Sequence, residues 1–327
     1  NELALRLARV HTGGSGIVAV ESGYHGHTQA LVDVSHYKHA RAGGAGAPRW
    51  VRTVPLPDDY RGLYGRNEAR RAERYAGHIR DAFASLGTDG HSPAAFIAEA
   101  ILSCAGQIEP PPGYLKAAYQ NARAAGAVCI ADEVQIGFGR VGSHLWGFQS
   151  GEVTPDIVTL GKPMGNGHPI GAVVTTPEIA DSFANGMEFF STFGGNPVSA
   201  AIGLAVLDVL KSDQLKEHAA VVGGTLKAAL ATLAMHHPSI GDVRGRGLFL
   251  GIELVSDRAA KTPSAEIAHY VVNRAKELGV LLSADGPDHN VLKIKPPMTF
   301  SQQDGERLVE VLDRVLGEDF VVASLGG

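Results

Sequence analysis

Two charged groups stand at the ends of two short apolar runs. Val128-Cys129-Ile130-Ala131 stops at Asp132-Glu133, and Asp156-Ile157-Val158-Thr159-Leu160 passes through Gly161 to Lys162. About thirty residues separate the acid from the amine. Each run reads as a short buried strand that delivers one charge at its C-terminal end. In open α/β sheets that edge is where ligands bind. An acid there can hold a metal, a ribose hydroxyl or a pyridinium nitrogen. A lysine at a buried edge has a depressed pKa and can act as an amine nucleophile. Gly161, Pro163, Gly165 and Gly167 around it let backbone approach a ligand closely. The plain alternatives are a cap or turn role for Asp132 and a surface role for Lys162. Glu133 has an equal claim to be the working acid.

The remaining motifs narrow the chemistry. His25 and His27 are two residues apart and lack partners at metal-ligand spacing, so a metal is disfavoured. Gly13-Gly14-Ser15-Gly16 precedes a strand instead of following one, so the dinucleotide fingerprint is missing. Pro163 follows Lys162 where a phosphate-binding P-loop needs Ser or Thr. There is no Gly-x-Ser-x-Gly elbow for a hydrolase. One cofactor does combine a lysine imine with an acid on a ring nitrogen, and that is pyridoxal phosphate. It also wants an aromatic on the ring face and hydroxyls or helix N-termini around its phosphate. Tyr24, in Ser22-Gly23-Tyr24-His25-Gly26-His27-Thr28, and Thr192, in Ser191-Thr192-Phe193-Gly194-Gly195-Asn196-Pro197, are available for these two tasks.

The elements that must position these residues alternate. Helices are expected over 1–10, 67–86, 114–125 and 198–210, with a short one opening at Pro177. Strands are expected over 17–21, 94–99 and 170–175, besides the two at the outset. This alternation predicts a parallel sheet covered on both faces. Residues 36–66 show no sustained period and read as a long excursion. After about Ser212 the pattern changes to helices over 214–233, 264–278 and 301–316 with strand pairs at 240–244 with 248–255 and 280–283 with 291–295. The reading is an α/β chain: a large domain over 1–212 and a smaller C-terminal α+β domain over 213–327.

The bulk numbers agree with a globular protein. Of 327 residues, 44% are hydrophobic and 19% charged, which fits packed cores and not disorder. The net charge of −5 carries no basic block, so nucleic acid or an anionic membrane is not the expected partner. No unbroken apolar run reaches the roughly 18 residues of a membrane helix. Cys104 and Cys129 read as free thiols, which fits a reducing, cytoplasmic setting. The chain opens inside a helical pattern without a Met, which reads as a fragment lacking its N-terminal part.

Taken together, Ala131-Asp132-Glu133-Val134-Gln135-Ile136-Gly137-Phe138-Gly139-Arg140, Thr159-Leu160-Gly161-Lys162 and Ser191-Thr192-Phe193-Gly194-Gly195-Asn196-Pro197 make the chain resemble the class III (subgroup II) aminotransferases. These are fold-type-I pyridoxal-phosphate enzymes, and the likeness runs over essentially the whole sequence. The resemblance implies Lys162 as the Schiff-base lysine and Asp132 as the partner of the ring nitrogen. It implies that Gln135 contacts the ring hydroxyl and that Tyr24, beside His25, stacks on the ring. Thr192 would reach the cofactor phosphate of a neighbouring subunit, so a homodimer with shared active sites is implied. Glu99 matches an acid near the site.

Two departures point to one branch. Family aminotransferases place an Arg before x-x-Pro-Pro to grip a substrate carboxylate, a natural task for a bidentate fork. Here the run is Val291-Leu292-Lys293-Ile294-Lys295-Pro296-Pro297, and a lysine lacks the fork. Many members also carry a gating Glu where this chain has Cys104. Both departures look like the phospho-lyases of O-phosphoethanolamine or 5-phosphohydroxylysine, whose substrates carry no carboxylate beside the reacting amine. Lys293 and Lys295 are the expected contacts for the substrate phosphate. The expected partner is therefore a small phosphorylated amine or amino acid; the alternative is an aminotransferase of the ω-amino acid or alanine–glyoxylate type.

Overall fold

The computed structural model describes residues 1–325. The chain forms two compact units, each assembled from three stretches. The first takes Asn1–Ala100, Pro110–Phe138 and Trp146–Asp213; the second takes Ile101–Glu109, Gly139–Leu145 and the chain from Gln214. A single boundary at residue 212 assigns 101–109 and 139–145 to the first unit. Both are loop stretches without a helix or strand pattern, so their sequence gives no sign of where they pack.

The first unit holds a six-stranded sheet in the order β2-β1-β3-β4-β5-β6. Its strands are β1 (Gly16–Val20), β2 (Val51–Val54), β3 (Pro93–Ala98), β4 (Val128–Asp132), β5 (Ile157–Leu160) and β6 (Ala172–Thr175). The first five are parallel, and β6 runs antiparallel on the edge. The expected parallel sheet is borne out except at β6. Seven helices accompany it: α1 (Glu2–Thr12), α2 (Gln29–Val34), α3 (His36–His39), α4 (Arg71–Thr88), α5 (Tyr114–Ala124), α6 (Pro177–Phe183) and α7 (Pro197–Ser212). β1, β3 and β4 are apolar on both faces, as a sheet covered twice requires. α1 buries Ala4, Leu5, Leu7 and Ala8 in one cluster with Ile17, Ile97 and Ile130. Full burial of such a side chain is worth about 1.5–3 kcal/mol, so these contacts fix the helix to the sheet.

The excursion over 36–66 contains structure that the sequence did not announce. α3 is one turn of His-Tyr-Lys-His and has no apolar stripe. β2 is a four-residue edge strand with Arg52 and Thr53 in its middle. Neither offers a periodic signal.

The second unit combines strands and helices, as the expected α+β pattern has it; its sheet is antiparallel, and its two strand pairs fuse into one. The order is β10-β11-β8-β7, with β9 on β8. Its strands are β7 (Ile240–Arg246), β8 (Phe249–Asp257), β9 (Thr262–Pro263), β10 (Ser283–Asp285) and β11 (Val291–Ile294). α8 (Leu215–His236), α9 (Ala265–Glu277), α10 (Gln302–Leu316) and α11 (Asp319–Ala323) complete it. Leu226, Leu230, Leu250, Ile252, Leu292 and Leu312 share its core. By length and hydropathy α8 could cross a membrane, although no unbroken apolar run marks it. It packs Leu226, Leu230 and Leu233 into that core instead.

Candidate active site

Asp132 is the last residue of β4 and is only 3% exposed. Its Oδ2 accepts hydrogen bonds from His25 Nδ1 at 2.8 Å and from Asn1 Nδ2 at 2.8 Å. Its Oδ1 accepts the Val134 N–H at 3.1 Å. Burial alone would push this carboxyl up. The donated hydrogen bonds and the charge of His25 outweigh it, and the group is held below its ordinary value. Asp132 is thus kept as an anion at the end of a central strand.

Glu133 is turned to a different task. Its Oε2 accepts the Gly147 N–H and its Oε1 the Phe148 N–H, each at 2.8 Å. Burial pushes its pKa up to about 7, against those two amides. It anchors the short 3-10 helix Gly147–Gly151. Of the two adjacent acids, the structure leaves Asp132 as the one facing the histidine turn.

β5 pairs with β4 so that Thr159 lies opposite Asp132. Lys162 follows two residues after the end of β5 and opens the 3-10 helix Lys162–Gly165. The sheet edge is where it was expected, but its side chain is exposed rather than buried.

Tyr24 and His25 stand in the turn after β1, which lies between β2 and β3 in the sheet and one strand away from β4. His25 is buried, and its Nδ1–H donates to Asp132. The pairing of His25 is therefore with a carboxylate. Tyr24 is half-buried and lies edge-on to Tyr37 at 5.9 Å. Gln135 is buried in the turn that follows β4, and Glu99 is buried one residue after β3. Thr192 is exposed in the turn before α7. Asn196 caps that helix by accepting the Ser199 N–H at 2.9 Å. Asn1 was not singled out from the sequence. A lone Asn at a helix start carries no signal of a carboxylate partner more than a hundred residues away.

In the second unit, Lys293 lies on β11 and its Nζ is 2.5 Å from Asp285 Oδ2 on β10. Gln107 Nε2 reaches the same oxygen at 3.4 Å. Lys293 is therefore a cation with its counter-ion already in place. Lys293, Lys295, Ser283 and Arg307 line a cleft of about 710 Å³ together with Pro296 and Pro297. Arg140, from the motif after Asp132, donates to the carbonyls of Leu248 and Pro296 and so anchors the double-proline turn.

The β4–β5 edge fits a pyridine cofactor. An acid is held charged, an exposed amine follows the neighbouring strand, and an aromatic residue precedes the histidine. Three buried polar atoms at this edge have no partner: His25 Nε2, Thr159 Oγ1 and Asn1 Oδ1. Buried polar atoms normally find partners, so the edge has hydrogen-bonding capacity to spare for a polar ligand. The described residues contain no group of His, Cys, Asp and Glu able to hold a metal ion.

Comparison with known proteins decides the family. The class III aminotransferase profile matches residues 1–316. The chain belongs to the class III aminotransferase family. The family uses pyridoxal 5′-phosphate and has the fold-type-I architecture described above. An alanine–glyoxylate aminotransferase 2-like protein of Drosophila melanogaster is 48% identical over 99% of this chain and 67% of its own length. Ethanolamine-phosphate phospho-lyase homolog 1 of Caenorhabditis elegans is 40% identical over 97% of this chain and 70% of its own. The chain thus spans about two thirds of the length of these curated class III relatives. Among solved structures, a phospholyase from Arthrobacter in complex with phosphoethanolamine superposes with a TM-score of 0.91 at 39% identity. It covers 97% of this chain and 74% of that one.

Proposed function

We propose that the protein of which this chain forms part is a pyridoxal-phosphate-dependent phospho-lyase. Its substrate would be a small phosphorylated amine such as O-phosphoethanolamine. With one water, O-phosphoethanolamine gives acetaldehyde, ammonia and inorganic phosphate. The observation that carries the reading is Lys293, a point-charge donor where the family's aminotransferases are expected to carry an arginine fork. The likeness to a phospholyase solved with phosphoethanolamine supports it.

When bound, the cofactor supplies an electron-withdrawing ring that stabilises negative charge on the carbon bearing the amine. Asp132, its carboxyl kept ionised, would hold the ring nitrogen protonated. His25 and Asn1 fix the carboxylate, and Tyr24 would cover the ring face. Lys162 would hold the cofactor's aldehyde carbon and, as a free amine, would take the proton from the substrate carbon next to nitrogen. Phosphate then leaves from the adjacent carbon. Phosphate is a far better leaving group than hydroxide, so loss of phosphate outruns return of the proton. Gln135, Glu99 and Thr192 are proposed to complete the cofactor's surroundings.

The second reading is an aminotransferase, favoured by the Drosophila relative and by the Asp285 carboxylate on Lys293. For the lyase, substrate phosphate must share or take over that ammonium. Incubation with O-phosphoethanolamine and no keto acid separates the two readings. Release of phosphate with ammonia supports the lyase, and an absolute need for a keto acceptor supports the aminotransferase.

A homodimer follows from the same reading. Thr192 and α7 are the expected contributors to the partner's site. Phe190, Phe193, Val198 and Leu204 are exposed on this stretch, Phe193 by 82% and Leu204 by 62%. Contiguous exposed apolar residues of this kind mark an interface.

A further inference from the structure

The turn after β1 carries Tyr24 and His25, and three consecutive residues hold it. Ser35 Oγ accepts the His25 N–H at 2.8 Å and donates to Leu31 O at 2.6 Å. The His36 ring accepts the Ser22 N–H at Nδ1, at 3.1 Å. The Tyr37 N–H donates to Gly23 O at 3.0 Å, and the Tyr37 ring meets Tyr24 edge-on. The turn needs holding. Ser22 is a non-glycine residue in the left-handed region at φ 60°, a conformation that survives only where the surroundings enforce it. Gly23 is crowded as well, since a Cβ there would lie 2.9 Å from Val20 O.

We propose that His36 is a positioning residue for the cofactor-side turn and works only while Nδ1 is unprotonated. The inference rests on the reading of Tyr24 and His25 as cofactor-side residues. A backbone N–H can only donate, so the nitrogen it meets must offer a lone pair. An imidazolium offers a second N–H instead, and the bond is lost. Protonation of His36 therefore releases Ser22, and with it the turn that sets the Tyr24 ring and the His25 donor on Asp132.

The surroundings of His36 favour the neutral ring. Burial lowers its pKa first; Glu21, at the end of β1, acts the other way, and Arg41, just beyond α3, adds to the lowering. The His39 ring packs edge-on at 5.4 Å, itself buried with neither nitrogen partnered, and Asp33 on α2 acts on it. The sign follows. With the folded pKa below the ordinary imidazole value, the clamp holds above that value. It fails as the pH falls through it towards the lowered one.

The test uses the full chain, with and without pyridoxal phosphate, as wild type, His36→Asn and His36→Phe. Asn supplies an acceptor that does not titrate; Phe supplies none. Hydrogen exchange of the 20–28 segment, corrected for intrinsic rates, is read from pH 8 to pH 5 without cofactor. Wild-type protection should fall at the acid end by roughly two- to tenfold, the worth of one net hydrogen bond. His36→Asn should keep its protection across the range, and His36→Phe should be low throughout. Cofactor affinity, read by absorbance titration, should follow the same order. Equal exchange in wild type and His36→Phe overturns the clamp. Altered exchange with unchanged affinity overturns the positioning role. Lys162→Ala in the same titration judges the cofactor reading separately, because the exchange measurement needs no cofactor.

Discussion

At the scale of single residues, the pair Asp132 and Lys162 was legible because each ends an apolar run, and strand ends at one sheet edge are neighbours. Their surroundings were less so. The Asn1 and His25 donors on Asp132 come from other parts of the chain, and no local pattern links them to it. The exposure of Lys162 was not legible either, since an apolar strand says nothing about what covers the residue beyond it. Lys293 is expected to meet the substrate phosphate, and the structure adds a counter-ion that the sequence reading did not name, Asp285 at 2.5 Å. The two residues are eight apart and diagonal across the β10–β11 pair, where Lys293 lies opposite Ser283 and Asp285 opposite Val291. This gives a prediction. If substrate phosphate meets Lys293, Asp285→Asn removes its competitor, and KM for O-phosphoethanolamine falls by about three- to tenfold, the scale of a half-buried charge contact. Steady-state kinetics check this, and an unchanged or raised KM removes Lys293 from the phosphate site.

At the scale of elements, strong apolar periodicity gave most helices and strands to within a few residues. The failures share one cause. β2, α3 and α11 are short, and α3 in particular lacks any apolar stripe, so tertiary packing and not local preference defines it. The same holds for the antiparallel direction of β6, which strand composition does not encode. Glu133 supplies the prediction at this scale. Burial raises its pKa to about 7 while it anchors Gly147–Gly151. A carboxyl raised in the folded state stabilises fully below its unfolded value, and this contribution is lost as the pH rises through about 7. The free energy of unfolding from pH 5 to pH 8, read by denaturant melts, should fall more in wild type than in Glu133→Gln, by an amount on the order of a few kcal/mol. Parallel pH profiles contradict the assignment.

At the scale of the whole molecule, the alternation of elements announced the α/β sheet, and the change of pattern after about Ser212 announced a mixture of strands and helices without giving the strand direction. The two loops exchanged between the units were not announced, because loops carry no periodicity. The exposed apolar residues before and along α7 set the next expectation. If the proposed homodimer forms through this surface, Leu204→Glu should leave a monomer in sedimentation where wild type is a dimer and lower cofactor-dependent activity, since Thr192 is proposed to serve the partner's site. A variant that stays dimeric contradicts this surface as the interface.

The central claim is phosphate elimination, and one assay meets it most directly. Protein is incubated with O-phosphoethanolamine and pyridoxal phosphate, with every keto acid excluded, and phosphate, ammonia and acetaldehyde are measured together. The account predicts the three products in equal amounts over many turnovers, and none with Lys162→Ala. Products that appear only when a keto acid is added, with its amino acid formed in step, would contradict it.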